Sequence, residues 1–392
     1  MKIAVLTSGI LPVPAVLGGA VENLIDFYME YNEIHQIHDI TVYSVSHSKT
    51  KNLRTTKSNT NHYYYIDVNS LWAKFKRKLY SYMHGEEYHH YFIEYFLEQS
   101  IKHIIKQNYD CIILENRPSY ALKLKSITNA KLIYHLHNEK LTKQTPAYQE
   151  IYDAAYNIIC VSDFVKNSVK SINPNDTKCV TVYNGIDLRA FSIKESYIRR
   201  QDIGLNNHDF VIIYSGRINK EKGIRELIEA IKMLTDYPQI KLLVIGSTFF
   251  GRTDNDDFIC ELRKNTEYIK NKIVFSGFIP YKNVPSYLKL ADVAIVPSMW
   301  NEAFGLTVLE AMAAGLPLIT TNSGGIPEIC KNSALIIERE NIVNNLANAI
   351  IKLYKEPKTR IDMSQQSIIR SQIFSKEKYA KNFFNALTIV KE

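Results

Sequence analysis

Residues 210–223 read FVIIYSGRINKEKG, in which an apolar run ends at serine and glycine and a charged segment follows. This order predicts a buried strand over 210–214 that passes through a tight turn into a helix. A strand followed at once by a helix is half of a parallel βαβ unit.

The same alternation extends in both directions along the chain. Short apolar runs of the first half lie at 3–7, 40–45, 63–68, 111–114, 132–136 and 158–161. Those of the second half lie at 210–214, 240–245, 273–275, 293–296, 318–321 and 335–337. Helix-length amphipathic stretches such as 21–31 and 88–105 separate them. The pattern predicts an α/β protein of two Rossmann-like, doubly wound parallel-sheet domains that face a cleft.

The chain of 392 residues is long enough for two such domains, each with its own core. We expect a first domain over 1–190 and a second over 191–374, divided in the irregular, charged stretch at 192–207. The segment 375–392 shows helical periodicity, and we expect it to return and pack on the first domain.

Composition indicates a folded protein without a membrane-spanning helix, because 46% of the residues are apolar but no run reaches about 18 residues. The five cysteines lie far apart, which favours reduced thiols and a cytoplasmic setting. The net charge is +8, and residues 72–78 read WAKFKRK. This basic, aromatic segment predicts either a peripheral contact with an anionic membrane surface or an ordinary solvated helix face.

Two carboxylates stand out in the stretch EAFGLTVLE, where Glu302 and Glu310 flank a helix expected to open around Phe304, Gly305 and Leu306. Eight helical steps of about 1.5 Å place the carboxylates at most about 12 Å apart along the axis. Carboxylates accept paired hydrogen bonds from neighbouring hydroxyls, which suits polyol recognition. An amphipathic helix with one capping and one exposed glutamate is the competing interpretation.

Two cations follow the strand over 210–214, namely Arg217 directly after Gly216, and Lys222 at the start of the next helix. Together with the positive end of that helix they could hold a diphosphate and stabilise charge on a departing nucleotide. Such an arrangement can take the place of a metal ion. The alternative is a charged surface loop.

In the first half, Gly18 and Gly19 follow the first strand, and His135 and His137 share one face of a later strand. His137 is nearer the strand end and is the better candidate to contact substrate. The HxH spacing also suggests zinc, but the sequence identifies no third ligand. We interpret the DxD at 254–256 as a solvated loop, and we expect no metal, no cofactor and no nucleic-acid partner.

At these positions the chain resembles the GT4-type family of retaining GT-B-fold glycosyltransferases, which build bacterial surface polysaccharides, glycolipids and small glycosides. The segments that carry the resemblance are GGAVE at 18–22, His137, SDFVKNSV at 162–169, VYNGID at 182–187, SGRINKEKG at 215–223, 302–317, SGGIPE at 323–328 and FSKEKYA at 374–380. Many relatives have His followed by Asp, whereas this chain has Asn138.

The resemblance implies that the first domain takes the acceptor and that the second binds a nucleotide-sugar donor. Arg217 and Lys222 would hold the diphosphate, Glu310 the ribose, and Glu302 with Ala303 and the amides of residues 304–306 the sugar. The expected function is metal-independent, retaining transfer of a hexose from a UDP-sugar to a saccharide or lipid-linked acceptor in cell-surface glycan synthesis. A catalytically inactive binding or scaffold subunit and a sugar-nucleotide epimerase remain alternatives.

Overall fold

The computed structural model describes residues 1–51, 58–84, 89–193, 195–247 and 257–387. The chain divides into two compact units, the first comprising Met1–Gly185 with the C-terminal segment from Lys376, and the second Ile186–Ser375. The division near residue 185 lies five residues before the one expected at 190, because the short strand that ends at residue 181 belongs to the first unit and the helix that begins at residue 188 already belongs to the second.

The described strands of the first unit are β1 (Lys2–Leu6), β2 (Asp39–Val45), β3 (Asn61–Ile66), β4 (Cys111–Glu115), β5 (Lys131–Leu136), β6 (Asn157–Cys160) and β7 (Cys179–Thr181). The helices between them are α1 (Ala20–His35), α2 (Ser48–Lys51), α3 (Leu71–His84), α4 (His89–Ile104), α5 (Ala121–Leu124), α6 (Tyr148–Ala154) and α7 (Asp163–Lys170). The strands form a parallel sheet in the order β3-β2-β1-β4-β5-β6-β7. The sequence analysis missed β7, an edge strand of three residues that is too short for periodicity to reveal.

The helices of the second unit are α8 (Leu188–Phe191), α9 (Ile224–Lys232), α10 (Asp257–Thr266), α11 (Val284–Leu288), α12 (Leu306–Ala313), α13 (Ile326–Cys330), α14 (Ile342–Lys355) and α15 (Pro357–Ser371). Its strands are β8 (Phe210–Ser215), β9 (Ile240–Ile245), β10 (Ile273–Gly277), β11 (Val293–Val296), β12 (Leu318–Thr321) and β13 (Leu335–Ile337). They form a second parallel sheet in the order β10-β9-β8-β11-β12-β13. The predicted α/β class with two doubly wound parallel sheets is confirmed.

The last described helix, α16 (Lys376–Leu387), belongs to the first unit and packs on α1. Tyr28 stacks on Phe383 with ring centroids 4.4 Å apart, and Asn157 Nδ2 donates to the carbonyl of Ala386 at 2.7 Å. Aromatic residues spaced three or four positions apart share one helix face, so this face is buried in the core. Residues 388–392 of the expected helix lie outside the described residues.

Both sheets contain a point where the strand order reverses, between β1 and β4 in the first unit and between β8 and β11 in the second. In open parallel sheets, ligands bind at the carboxyl ends of the strands at such a point. Each unit therefore offers one edge at which polar side chains are expected to act. Among the described residues, no helix is long and apolar enough to cross a bilayer.

Candidate functional site

In the second unit, the predicted site residues lie at the reversal of strand order. β8 ends at Ser215 and leads into Gly216 and Arg217, and its neighbour β11 leads into the loop that carries Glu302. The neighbouring strands thus bring together two segments about 80 residues apart.

Lys222 and Glu302 form the centre of this arrangement. Lys222 Nζ lies 2.5 Å from Glu302 Oε1, and Ser298 Oγ donates to the same oxygen at 2.6 Å. Lys222 Nζ also lies 5.2 Å from the ring centroid of Trp300. Burial raises the pKa of Glu302, but the charge and hydrogen bond of Lys222 and the bond from Ser298 outweigh burial and bring the pKa below its ordinary value. Glu302 is therefore ionised at neutral pH.

Two glycines allow the surrounding loops to approach this pair. Gly223 has φ +71°, and a Cβ there would collide with the carbonyl of Pro297. Gly324 has φ +53°, and a Cβ there would collide with the carbonyl of Glu302. Neither position has room for a side chain, so the loops can approach each other closely. The backbone amide of Gly325 donates to the Glu302 carbonyl at 2.8 Å, and this bond holds the loop that carries Glu302.

Helix α12 begins at Leu306, with Gly305 at its N-cap in a left-handed conformation (φ +107°). Glu302 therefore precedes the helix, and the estimate of 1.5 Å per residue does not apply between Glu302 and Gly305.

Phe304 is buried, with its ring centroid 6.0 Å from that of Phe374. Ala303 is half-buried between Glu302 and Phe304. The amides of the first helical turn point away from the helix body and can bind an oxygen of a ligand.

Glu310, in the second turn of α12, is buried. Burial raises its pKa to about 7, against a hydrogen bond with the Tyr281 hydroxyl that lowers it. Tyr281 follows β10 and was not identified in the sequence, since tyrosine at a strand end has no distinctive pattern. Ligand hydroxyls that donate hydrogen bonds to this carboxylate stabilise its ionised form.

The other cation, Arg217, is exposed, and its backbone carbonyl accepts a hydrogen bond from Tyr214 Oη at 2.6 Å. Gly216 before it has φ +148°. The structure thus places Arg217 at the end of β8, while Lys222 is held on Glu302.

In the first unit, Gly18 and Gly19 lead into α1, with Gly19 at the N-cap (φ +117°). The carboxylate of Glu22, one turn into the helix, folds back against Gly19 and occupies the space that a Cβ would need. Burial raises the pKa of Glu22 to about 7, although its own backbone amide opposes this, and the charge of Glu115 adds to the rise.

His137 belongs to a buried cluster with Glu115 and His135. Glu115 ends β4 and pairs in register with His135 on β5. Glu115 Oε2 lies 3.0 Å from His135 Nδ1 and 2.9 Å from His137 Nε2, and Tyr28 Oη donates to Glu115 Oε1 at 3.0 Å. Burial raises the pKa of Glu115, but the electrostatic interaction with His135 and the hydrogen bonds of both histidines lower it to about 2.

Glu115 is the third possible metal ligand beside His135 and His137, and the sequence had not identified it. The ligand atoms of a tetrahedral zinc site, at about 2.0 to 2.1 Å from the ion, stand roughly 3.3 Å from one another. The contacts of 2.9 and 3.0 Å are the lengths of hydrogen bonds, and Tyr28 adds a further donor to the carboxylate. The geometry thus favours a hydrogen-bonded cluster. The DxD at 254–256 lies outside the described residues.

Glu115 could have been suspected from the sequence, because it is the charged end of the otherwise apolar run CIILE. Asn138, for which sequence comparison offered no role, donates from Nδ2 to Asn116 Oδ1 at 2.8 Å. The same oxygen accepts the backbone amide of His137 at 3.1 Å. These bonds hold the backbone on which His137 stands.

Two doubly wound parallel sheets with these strand orders are the architecture of the GT-B fold. The chain belongs to glycosyltransferase family 4. Residues 36–190 match the family model "Glycosyltransferase Family 4", and residues 197–370 match "Glycosyl transferases group 1".

Relatives support this assignment along nearly the whole chain. Spore coat protein SA of Bacillus subtilis is 30% identical over 358 residues, which is 87% of each protein. The putative glycosyltransferase YtcC of the same species is 28% identical over 383 residues, covering 94% of this chain and 86% of YtcC. Anabaena HepE, solved in complex with UDP and glucose, superposes over 100% of both chains with a TM-score of 0.75 at 20% identity.

Proposed function

We propose that this glycosyltransferase moves a hexose from a UDP-sugar to a saccharide or lipid-linked acceptor in cell-surface glycan synthesis, with retention of anomeric configuration and without a metal ion. The observation that carries the proposal is the contact of Lys222 Nζ with Glu302 Oε1. It places a fixed cation beside the carboxylate that precedes the amides of α12.

During transfer the bond between the anomeric carbon and the diphosphate oxygen breaks, and the electron pair leaves with the nucleotide. The acceptor hydroxyl forms the new bond and loses its proton. Lys222 has three donors, so it can keep its bond to Glu302 while it binds a diphosphate oxygen. Together with Arg217 it stabilises the growing negative charge, the task for which other transferases use a metal ion.

Glu310 and Glu302 divide recognition of the donor between them. Glu310 accepts hydrogen bonds from the ribose hydroxyls, and Glu302 with the amides of residues 304–306 holds the sugar. Gly18 and Gly19, without side chains, allow backbone amides to approach the donor, and His137 contacts a sugar hydroxyl. UDP is the nucleotide we favour because HepE, of the same fold, binds UDP with glucose.

The test is to incubate the purified chain with UDP-hexoses, UDP-N-acetylhexosamines, GDP-mannose and ADP-glucose, with and without membrane extract, and to measure nucleotide release. We expect release with a UDP-sugar and a product whose anomeric proton shows the configuration of the donor. An inverted product would contradict retention. Release of no nucleotide would indicate a binding or scaffold subunit, and a changed sugar nucleotide without acceptor would indicate an epimerase.

A membrane-proximal acceptor is supported by α3. Six large apolar side chains of this helix are each more than half exposed, and they lie at Leu71, Trp72, Phe75, Leu79, Tyr82 and Met83. At 100° per residue these positions cover one face of about 120°. Ala73, on the opposite side, is buried. The helix therefore turns its apolar face away from its own unit.

Cations border this apolar face. On the helix, Lys74 and Lys78 lie along one edge and Lys76 along the other, where Lys76 Nζ is 5.6 Å from the Trp72 ring centroid. An apolar face bordered by cations is typical of helices that lie in the interface of an anionic bilayer. We propose that α3 holds the enzyme at the cytoplasmic surface of the membrane, where lipid-linked acceptors are available.

A further inference from the structure

Within the buried cluster of the first unit, Glu115 and His135 are fully buried, and only the His137 side chain retains exposure, at 7%. His137 is therefore the member that can contact a substrate. Whether its free ring nitrogen donates or accepts a hydrogen bond depends on which nitrogen carries the proton.

The hydrogen-bond partners decide the position of that proton. An ionised carboxylate only accepts, so both ring nitrogens that contact Glu115 must donate. His137 then carries its proton on Nε2, and Nδ1 of the neutral ring keeps a lone pair. Burial lowers the pKa of His137 to about 4, with the charge of His135 as a second cause, so the ring is neutral at pH 7.5.

We propose that Glu115 is a positioning residue that fixes His137 as the Nε2–H tautomer and so presents Nδ1 as an acceptor for a hydroxyl of the substrate. The role of this acceptor in transfer rests on the proposed function, whereas the tautomer does not. Glu115 itself touches the two histidines and Tyr28, and it acts on substrate through His137.

The substitution Glu115→Leu distinguishes this role from simple packing. His135 Nδ1 and His137 Nε2 both contact Oε2 of Glu115. The single carbonyl oxygen of Glu115→Gln can therefore still accept from both rings, whereas leucine has no acceptor. In Glu115→Leu an Nε2–H of His137 would be a buried donor without a partner, so the proton moves to Nδ1 and the ring presents a donor to substrate.

Tyr28→Phe is the matched control. It removes one hydrogen bond to Glu115 Oε1, keeps the ring stacked on Phe383, and leaves the contact with His137 intact. A merely structural role of the cluster predicts similar effects of both variants.

The experiment uses the full chain labelled with ¹⁵N-histidine, with long-range ¹H–¹⁵N correlation spectra at pH 7.5 and assignment by His137→Gln. We expect the Nε2–H tautomer in wild type, Tyr28→Phe and Glu115→Gln, and the Nδ1–H tautomer in Glu115→Leu. With a UDP-sugar that supports transfer, Glu115→Leu should lower kcat about 10- to 10²-fold with little change in the donor KM, because a wrong tautomer impairs the reaction more than binding. Circular dichroism and thermal melting verify that each variant is folded.

An unchanged His137 tautomer in Glu115→Leu would overturn the proposal, as would one equivalent of zinc that elemental analysis finds in wild type and not in the variant. A changed tautomer with unchanged kcat would overturn its catalytic part. If wild type transfers no sugar while the spectra behave as expected, the proposed function fails and the assignment of the tautomer stands.

Discussion

Lys222 Nζ lies 2.5 Å from Glu302 Oε1, so a cation and a carboxylate 80 residues apart form one largely buried pair. Removal of Lys222 therefore raises the pKa of Glu302 and leaves a largely buried carboxylate without its cation. Kinetic measurements on variants of this pair therefore need a parallel measurement of folding stability.

Lys222→Ala should lower kcat by about 10² to 10³, because it removes a preorganised charge that is needed most as the nucleotide departs. Steady-state kinetics with varied donor measure this change. Loss of the partner of a buried carboxylate also costs about 3–5 kcal/mol of folding stability, so thermal melting must accompany the assay. The double variant Lys222→Ala with Glu302→Gln removes both charges and serves as the stable control. An effect of Lys222→Ala on KM alone would show that our assignment is wrong.

Glu310→Ala should mainly raise the KM for the donor, by roughly 10- to 100-fold, because it removes hydrogen bonds of about 1.5–3 kcal/mol that ground state and transition state share. The ribose hydroxyls do not change charge during the reaction, so kcat should fall little. Tyr281→Phe, which removes the neighbouring hydroxyl and keeps the carboxylate, is the matched control. The assignment fails if Glu310→Ala lowers only kcat.

Glu310→Gln should stabilise the unliganded protein more at pH 8 than at pH 5. The pKa of Glu310 is about 7 in the folded chain and about 4.5 when unfolded, so ionisation in the core lowers stability as pH rises from 4.5 to 7. The gain in free energy of unfolding is at most about 3 kcal/mol, since one pKa unit corresponds to about 1.4 kcal/mol. Denaturant titrations of both proteins at the two pH values measure it. Equal differences at both pH values would contradict the raised pKa.

Neutralising the cations of α3, at Lys74, Lys76, Arg77 and Lys78, with glutamine should weaken binding to anionic liposomes. At about 1 kcal/mol for each cation near the surface, the loss is on the order of 10²- to 10³-fold at low salt. Vesicle sedimentation measures it. A control with the same change of net charge replaces Lys123, Lys125, Lys140 and Lys143, which lie elsewhere in the first unit. If both variants bind as wild type does, α3 is not the membrane contact.

Chelation of divalent cations with EDTA should leave the rate of transfer unchanged, because Arg217 and Lys222 supply the positive charge for the leaving nucleotide. The rate is compared with and without added Mg²⁺ or Mn²⁺ after dialysis. Activity that is lost on chelation and restored by one of these ions would refute metal independence.

The sequence alone determined the α/β class and the positions of most strands and helices. Hydrophobic periodicity and turn residues are local properties, and apolar runs such as 210–214 and 293–296 report burial directly. The sequence also led us to propose Glu302, Glu310, Arg217 and Lys222 as site residues, because charged residues and glycines that follow apolar strands mark the ligand-binding edge of a parallel sheet. Their roles stay predictions.

Only the tertiary structure decided which of these side chains are partners. Lys222 pairs with Glu302 because β8 and β11 are neighbours, although β9 and β10 lie between them in sequence. Glu115 meets His135 and His137 because β4 and β5 pair in register. The order and register of strands depend on packing across the whole sheet, and no local pattern around a residue contains that information.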